Sequence, residues 1–148
     1  MSRIVELLPN DFAPSSKDAE TLLELAYLVT AADGKLLDEE LAAFSAIAAR
    51  LHGKDKLATE ELDALVDQFA HHVESHEIET RVRILAPTLP EELHEIAYKL
   101  ALGIALVDYD PSDEEDRLHG VLGDALGIAP GRRAAISREV GLGGGKAD

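Results

Sequence analysis

A chain of 148 residues with 46% hydrophobic content is long enough for one core and too apolar to be disordered. It has no Cys, no Trp and one Met, the first residue, which excludes disulfides, thiolate catalysis, Cys-ligated zinc and iron–sulfur clusters. The formal net charge of -15 repels nucleic acid and anionic lipid, and attracts cations and basic partners.

Residues 1–15 read as an N-terminal arm that packs on the body. Ile4, Val5, Leu7 and Leu8 form a short apolar patch, stopped by Pro9 and Pro14. These first residues lack the apolar core of a signal peptide, and no uninterrupted apolar run reaches about 18 residues. The expectation is a cytoplasmic chain without direct membrane insertion.

The first helix is predicted from Ser16, with Asp18 and Glu20 near the positive end of its dipole, to about Ala32. Between Leu25 and Ala32 only Thr30 is polar, so this helix belongs in the middle of the domain. A second runs from Asp38 to His52 and stops at Gly53, with a stripe of Leu41, Phe44, Ala48 and Leu51. A third follows Thr59, with Leu62, Leu65, Val66, Phe69 and Val73 at helical spacing. A fourth carries Ile78, Val82, Leu85 and Leu89 and ends by Pro90. The fifth runs from Glu91 to about Val107 and is apolar all round in its second half. The sixth follows Ser112, which stands three residues before Glu115 at capping-box spacing, and ends at Gly127. A last helix spans Pro130 to about Val140, and residues 141–148 read as a flexible Gly-rich tail. No segment alternates with period two. The predicted fold is therefore all-α, with about seven helices in one domain over residues 16–140.

Two stretches of this domain repeat one pattern. Leu22–Leu51 and Ala97–Leu126 align without a gap, each residue of the first matching the residue 75 positions on. Asp33 thus falls on Asp108, Asp38 on Asp113, Glu39 on Glu114, Glu40 on Glu115 and Leu51 on Leu126. Each copy reads as an apolar helix, an Asp at its end, a turn, an acidic pair and a second helix. The expected architecture packs the first and fifth helices together as two buried central helices, in two pseudo-symmetric halves.

The repeated acids admit two readings. Asp33 and Asp108 each follow a buried helix, where a carboxylate faces the negative end of the dipole at a cost of roughly 0.3–1 kcal/mol. Turn N–H groups can offset that cost locally. Asp38, Glu39, Asp113 and Glu114 suit the first turn of a helix for dipole reasons alone, and Glu40 and Glu115 stand at the capping-box position of their helices. Ser112 supplies a capping partner for Glu115, whereas Leu37 at the matching position cannot cap. The other reading is a bound hard cation, Ca²⁺, Mg²⁺ or Mn²⁺, held by Asp33, Asp38, Glu40, Asp108, Asp113 and Glu115. The segment from Asp108 fails as an EF-hand: its sixth residue is Asp113 where Gly is required, and its twelfth is His119 where Glu is required.

The other chemical motifs are weaker. His72 and His76 are one helical turn apart, but nothing completes a zinc signature, and a solvated helix face is the simpler reading. Glu91 with His94 makes an E-x-x-H and Asp116 with His119 a D-x-x-H, but a di-iron bundle needs two E-x-x-H helices plus two further Glu, and Glu91 falls in a first helical turn, outside any bundle core. No nucleotide-binding glycine motif, nucleophile elbow or H-E-x-x-H occurs.

The run AADGKLLDEE, residues 31–40, resembles the A-A-D-G-x-x-x-x-E-E signature of TerB-like tellurite-resistance domains, and LVDYDPSDEE, residues 106–115, looks like its second half. The resemblance covers roughly residues 16–140. It departs from the family pattern at Leu37, Tyr109 and Asp110. It implies an all-helical, pseudo-symmetric fold, clustered acids suspected of binding a divalent cation, and a protein partner in a tellurite or envelope stress response. By position, the implied residues are Asp33 and Glu40, and Asp108 and Glu115. The resulting expectation is a non-enzymatic, cation-binding acidic domain. The alternative is a protein-interaction module whose paired acids are structural caps.

Overall fold

The computed structural model describes residues 15–30, 38–53, 57–75, 77–105 and 113–143, with side chains described at all of these except 72–75, 105, 113–116 and 139–143. Among them are seven α-helices and no strand: α1 (Ser16–Thr30), α2 (Asp38–Leu51), α3 (Thr59–Ser75), α4 (Ile78–Leu85), α5 (His94–Ala105), α6 (Asp113–Leu126) and α7 (Pro130–Gly143). The predicted arm and most of the tail lie outside the described residues.

The helix ends follow local chemistry. Ser15 caps α1, its Oγ accepting the Asp18 N–H at 3.1 Å. At α3, Glu61 reaches back to accept the N–H of Ala58 at 3.0 Å, the returning half of a capping box. Gly127 sits at φ 73° after α6. The N–H groups of Gly127 and Ile128 donate to the carbonyls of Asp124 and Gly123 at 3.1 and 3.0 Å, which is a Schellman closure.

Helix boundaries differ from the sequence reading at three places. After α4 the chain tightens into a 3₁₀ turn, Ala86–Thr88, because Pro87 has no N–H to continue the α-helical ladder. Leu89 is then extended, at φ -81° and ψ 142°, as a residue before proline prefers. A second 3₁₀ turn, Glu91–Leu93, occupies what reads as the start of the fifth helix, and α5 proper begins at His94. Finally, α7 continues to Gly143, past Val140. Glycine costs a helix roughly 1 kcal/mol but does not forbid it.

The core lies where the apolar helices predict. Leu22, Leu23, Leu25, Ala26, Leu28 and Val29 of α1 are fully buried, as are Ala97, Leu100, Ala101 and Ile104 of α5. Each such Leu contributes roughly 1.5–3 kcal/mol relative to an exposed position. The two helices pack more extensively on one another than any other pair. α2 and α6 flank them, and each touches both α1 and α5. Burial repeats along with the sequence: Leu25 and Leu100, Val29 and Ile104, Ala43 and Leu118, Ile47 and Leu122 are buried in both copies. Tyr27, Phe44 and Phe69 then tie α1, α2 and α3 together, with ring centroids 5.8–6.3 Å apart.

Candidate functional site

Of the six acids singled out by the repeat, two have described side chains. Asp33 and Asp108 lie outside the described residues. Asp113 and Glu115 stand in the first turn of α6, and their side chains lie outside the described part. Asp38 and Glu40 stand in the first turn of α2, and they differ sharply. Asp38 and its neighbour Glu39 are exposed, whereas Glu40 is only 2% exposed. All three gain from the positive end of the helix dipole. Only Glu40 gives up its water, which a carboxylate tolerates only where its oxygens are engaged, and its surroundings do engage it.

Among the described residues, no group of three or more His, Asp or Glu is arranged to hold a metal ion. The histidine pair His72 and His76 lies outside the described side chains, beside an exposed His71.

The structure also reveals polar centres that the sequence reading passed over. Glu24, on the most buried helix, is 3% exposed. Arg81 of α4 grips it in two places, Nε donating to Oε2 at 2.7 Å and Nη2 to Oε1 at 3.2 Å. The signal for this pair was a single charge inside the otherwise apolar run Leu22–Val29. A charge placed there demands a partner. The partner is 57 residues away and has no local signature.

The second centre surrounds His94, at the start of α5. Its Nδ1 lies 2.9 Å from the Leu126 carbonyl, at the end of α6. Its Nε2 lies 3.0 Å from the Leu89 carbonyl, in the turn before α5. The ring borders an open cavity of about 400 Å³, lined by Glu91, Glu92, Glu95 and Arg132 as well as Leu126 and Ile128. Arg132 binds Glu95 through two nitrogens, at 2.7 and 2.8 Å, and holds that carboxyl below its ordinary range. Beside it, Arg133 ties the start of α7 to α6, donating to the Ile128 carbonyl at 2.7 Å and to Asp124 at 2.6 Å.

The third is a buried aromatic contact in the second half. His119, 7% exposed, meets the Tyr98 ring edge-to-face at 6.1 Å. Burial pushes the Tyr98 hydroxyl up from its ordinary range, while Arg133 and a hydrogen bond with Ser137 act the other way. His119 occupies the position equivalent to Phe44, so it serves as a packing aromatic there.

Among the described residues no helix is long and apolar enough to cross a membrane. No protein-family model, curated protein or solved structure matches this chain.

Proposed function

We propose that this chain is a non-enzymatic, acidic helical domain of TerB-like organisation, whose two pseudo-symmetric halves bind a divalent cation through their repeated acids. The ligands are Asp33, Asp38 and Glu40 in one half, and Asp108, Asp113 and Glu115 in the other. The cation is a hard one, Ca²⁺, Mg²⁺ or Mn²⁺, because every ligand is a carboxylate. In the bound state the domain engages a protein partner in a cytoplasmic response to tellurite or envelope stress. The absence of any thiol argues against direct reduction of tellurite by this chain.

The observation that carries this reading is the burial of Glu40. Of three consecutive acids in one turn, Glu40 alone is withdrawn from water, while Glu39, the other signature glutamate repeated in the second copy, stays exposed. The crosswise packing of α1, α2, α5 and α6, with matched burial at an offset of 75 positions, supports the two halves. The charge of -15 favours cation capture over any polyanionic ligand.

The same burial also favours a second reading, in which Glu40 is a structural carboxylate and the domain is a plain interaction module. Thermal unfolding after EDTA treatment, repeated with each divalent ion at matched ionic strength, separates the two. Saturable stabilisation by one ion, about 2.7 kcal/mol at a hundredfold excess over Kd, supports the cation site. Equal, weak shifts from every divalent ion would reflect only screening of the net charge and would leave the interaction module.

A further inference from the structure

We infer that His94 is a proton-operated latch that fastens the end of α6 to the turn preceding α5. Both of its ring nitrogens face backbone carbonyl oxygens, at 2.9 and 3.0 Å. A carbonyl oxygen can only accept, so each contact needs an N–H on the ring. Neutral imidazole carries one N–H, and imidazolium carries two. Only the charged ring can therefore close both contacts at once. Loss of one proton turns a hydrogen bond into two opposed lone pairs, and the ring must release either Leu89 or Leu126.

The cavity beside the ring carries an excess of acidic groups. The Leu126 carbonyl belongs to the last turn of α6, where the helix dipole is negative and a cation is favoured. The charged groups that line the cavity beside the ring, among the described residues, are Glu91 and Glu92 from the 3₁₀ turn, Glu95 on α5 and Arg132 on α7. Arg132 is committed to Glu95. Glu91 and Glu92 are exposed carboxylates that leave the cavity net acidic. Among the described residues, no charged side chain of α1, α2, α4 or α6 lines it.

The two tethered points are separate in sequence, and each adjoins a helix end that the Schellman closure and the proline turn already define. Opening the latch frees the junction of α4, α5 and α6 without touching the α1–α5 core. Stability from the latch is present while the ring is charged. It is lost when the ring gives up one of its two N–H protons.

Thermal unfolding of the full chain at pH 5.5 and pH 8.5, for the wild type and for His94→Gln, tests this. Glutamine can donate to one carbonyl at either pH but never to both. The melting-temperature gap between the two proteins is expected to shrink by about 3 °C or more at the higher pH. A gap of equal size at both values would overturn the latch. If His94→Gln does not fold, long-range proton–nitrogen spectra of the wild-type imidazoles give the answer, with His94 assigned through contacts to Leu89 and Leu126. Two solvent-protected N–H protons on that ring at pH 5.5, falling to one at pH 8.5, are expected. A ring with a single N–H already at pH 5.5 would overturn it.

Discussion

The two copies of the repeat bury many of the same positions and fill them with different chemistry. In the first half, Phe44 joins Tyr27 and Phe69 in an aromatic cluster. In the second, the equivalent position holds His119, set against Tyr98, whose hydroxyl is tied to Ser137. Position 24 is a buried glutamate held by Arg81, whereas its counterpart, Lys99, is half-buried. The first half closes on apolar contact and one desolvated ion pair. The second closes on polar ties to backbone, through His94 and Arg133. Burial pattern fixes where a helix lies, and the identity of the buried group decides how the half is fastened and which conditions can loosen it.

The largest expected effect comes from removing one partner of the buried pair. Arg81→Met leaves Glu24 charged inside the core and should cost about 3–5 kcal/mol, read from urea unfolding. Adding Glu24→Leu should recover most of that loss. A small effect of Arg81→Met alone would show that the pair does not distinguish the first half from the second.

Phe44→Ala should follow closely, at about 3–5 kcal/mol, since it empties the centre of the aromatic cluster. The matching change His119→Ala should cost less, because the smaller ring loses less apolar burial. Equal losses at the two positions would erase the contrast between the halves.

A more modest effect is expected at the end of α6. Gly127→Ala places a side chain at φ 73° and should lower stability by about 1 kcal/mol, measured by chemical denaturation.

The smallest effects are electrostatic and confined to the surface. Glu79 is held below its ordinary range by hydrogen bonds from Arg83 and Arg117, as Glu95 is by Arg132. A carboxyl lowered in the folded state stabilises it above the ordinary carboxylate range. That contribution disappears as pH falls through that range and below. Glu79→Gln and Glu95→Gln should therefore flatten the acid limb of a melting-temperature profile slightly and leave the neutral plateau nearly unchanged. These pairs are exposed, so salt should weaken them further.

Much of the fold was legible because helices announce themselves by period and punctuation. Gly53 and Gly127 mark helix ends and do sit at positive φ. The apolar runs from Leu25 and from Leu100 correctly place α1 and α5 in the centre. Proline was legible as a stop, but its neighbours' choice of 3₁₀ geometry between α4 and α5 depends on which N–H groups remain to be satisfied. The candidate site was legible only as composition. Asp38, Glu39 and Glu40 look alike in sequence, and only packing shows that Glu40 alone is buried. Glu24–Arg81 and His94–Leu126 escaped because their partners stand 57 and 32 residues apart and carry no pattern of their own.

The most direct test of the proposed cation site is the ion response of the Asp33→Asn/Asp108→Asn double variant, followed by thermal unfolding beside the wild type. The account predicts that a single divalent ion raises the wild-type melting temperature saturably, and that the double variant folds but loses this increment. An unchanged ion response in the double variant, or a wild type that answers all divalent ions equally and weakly, would contradict it.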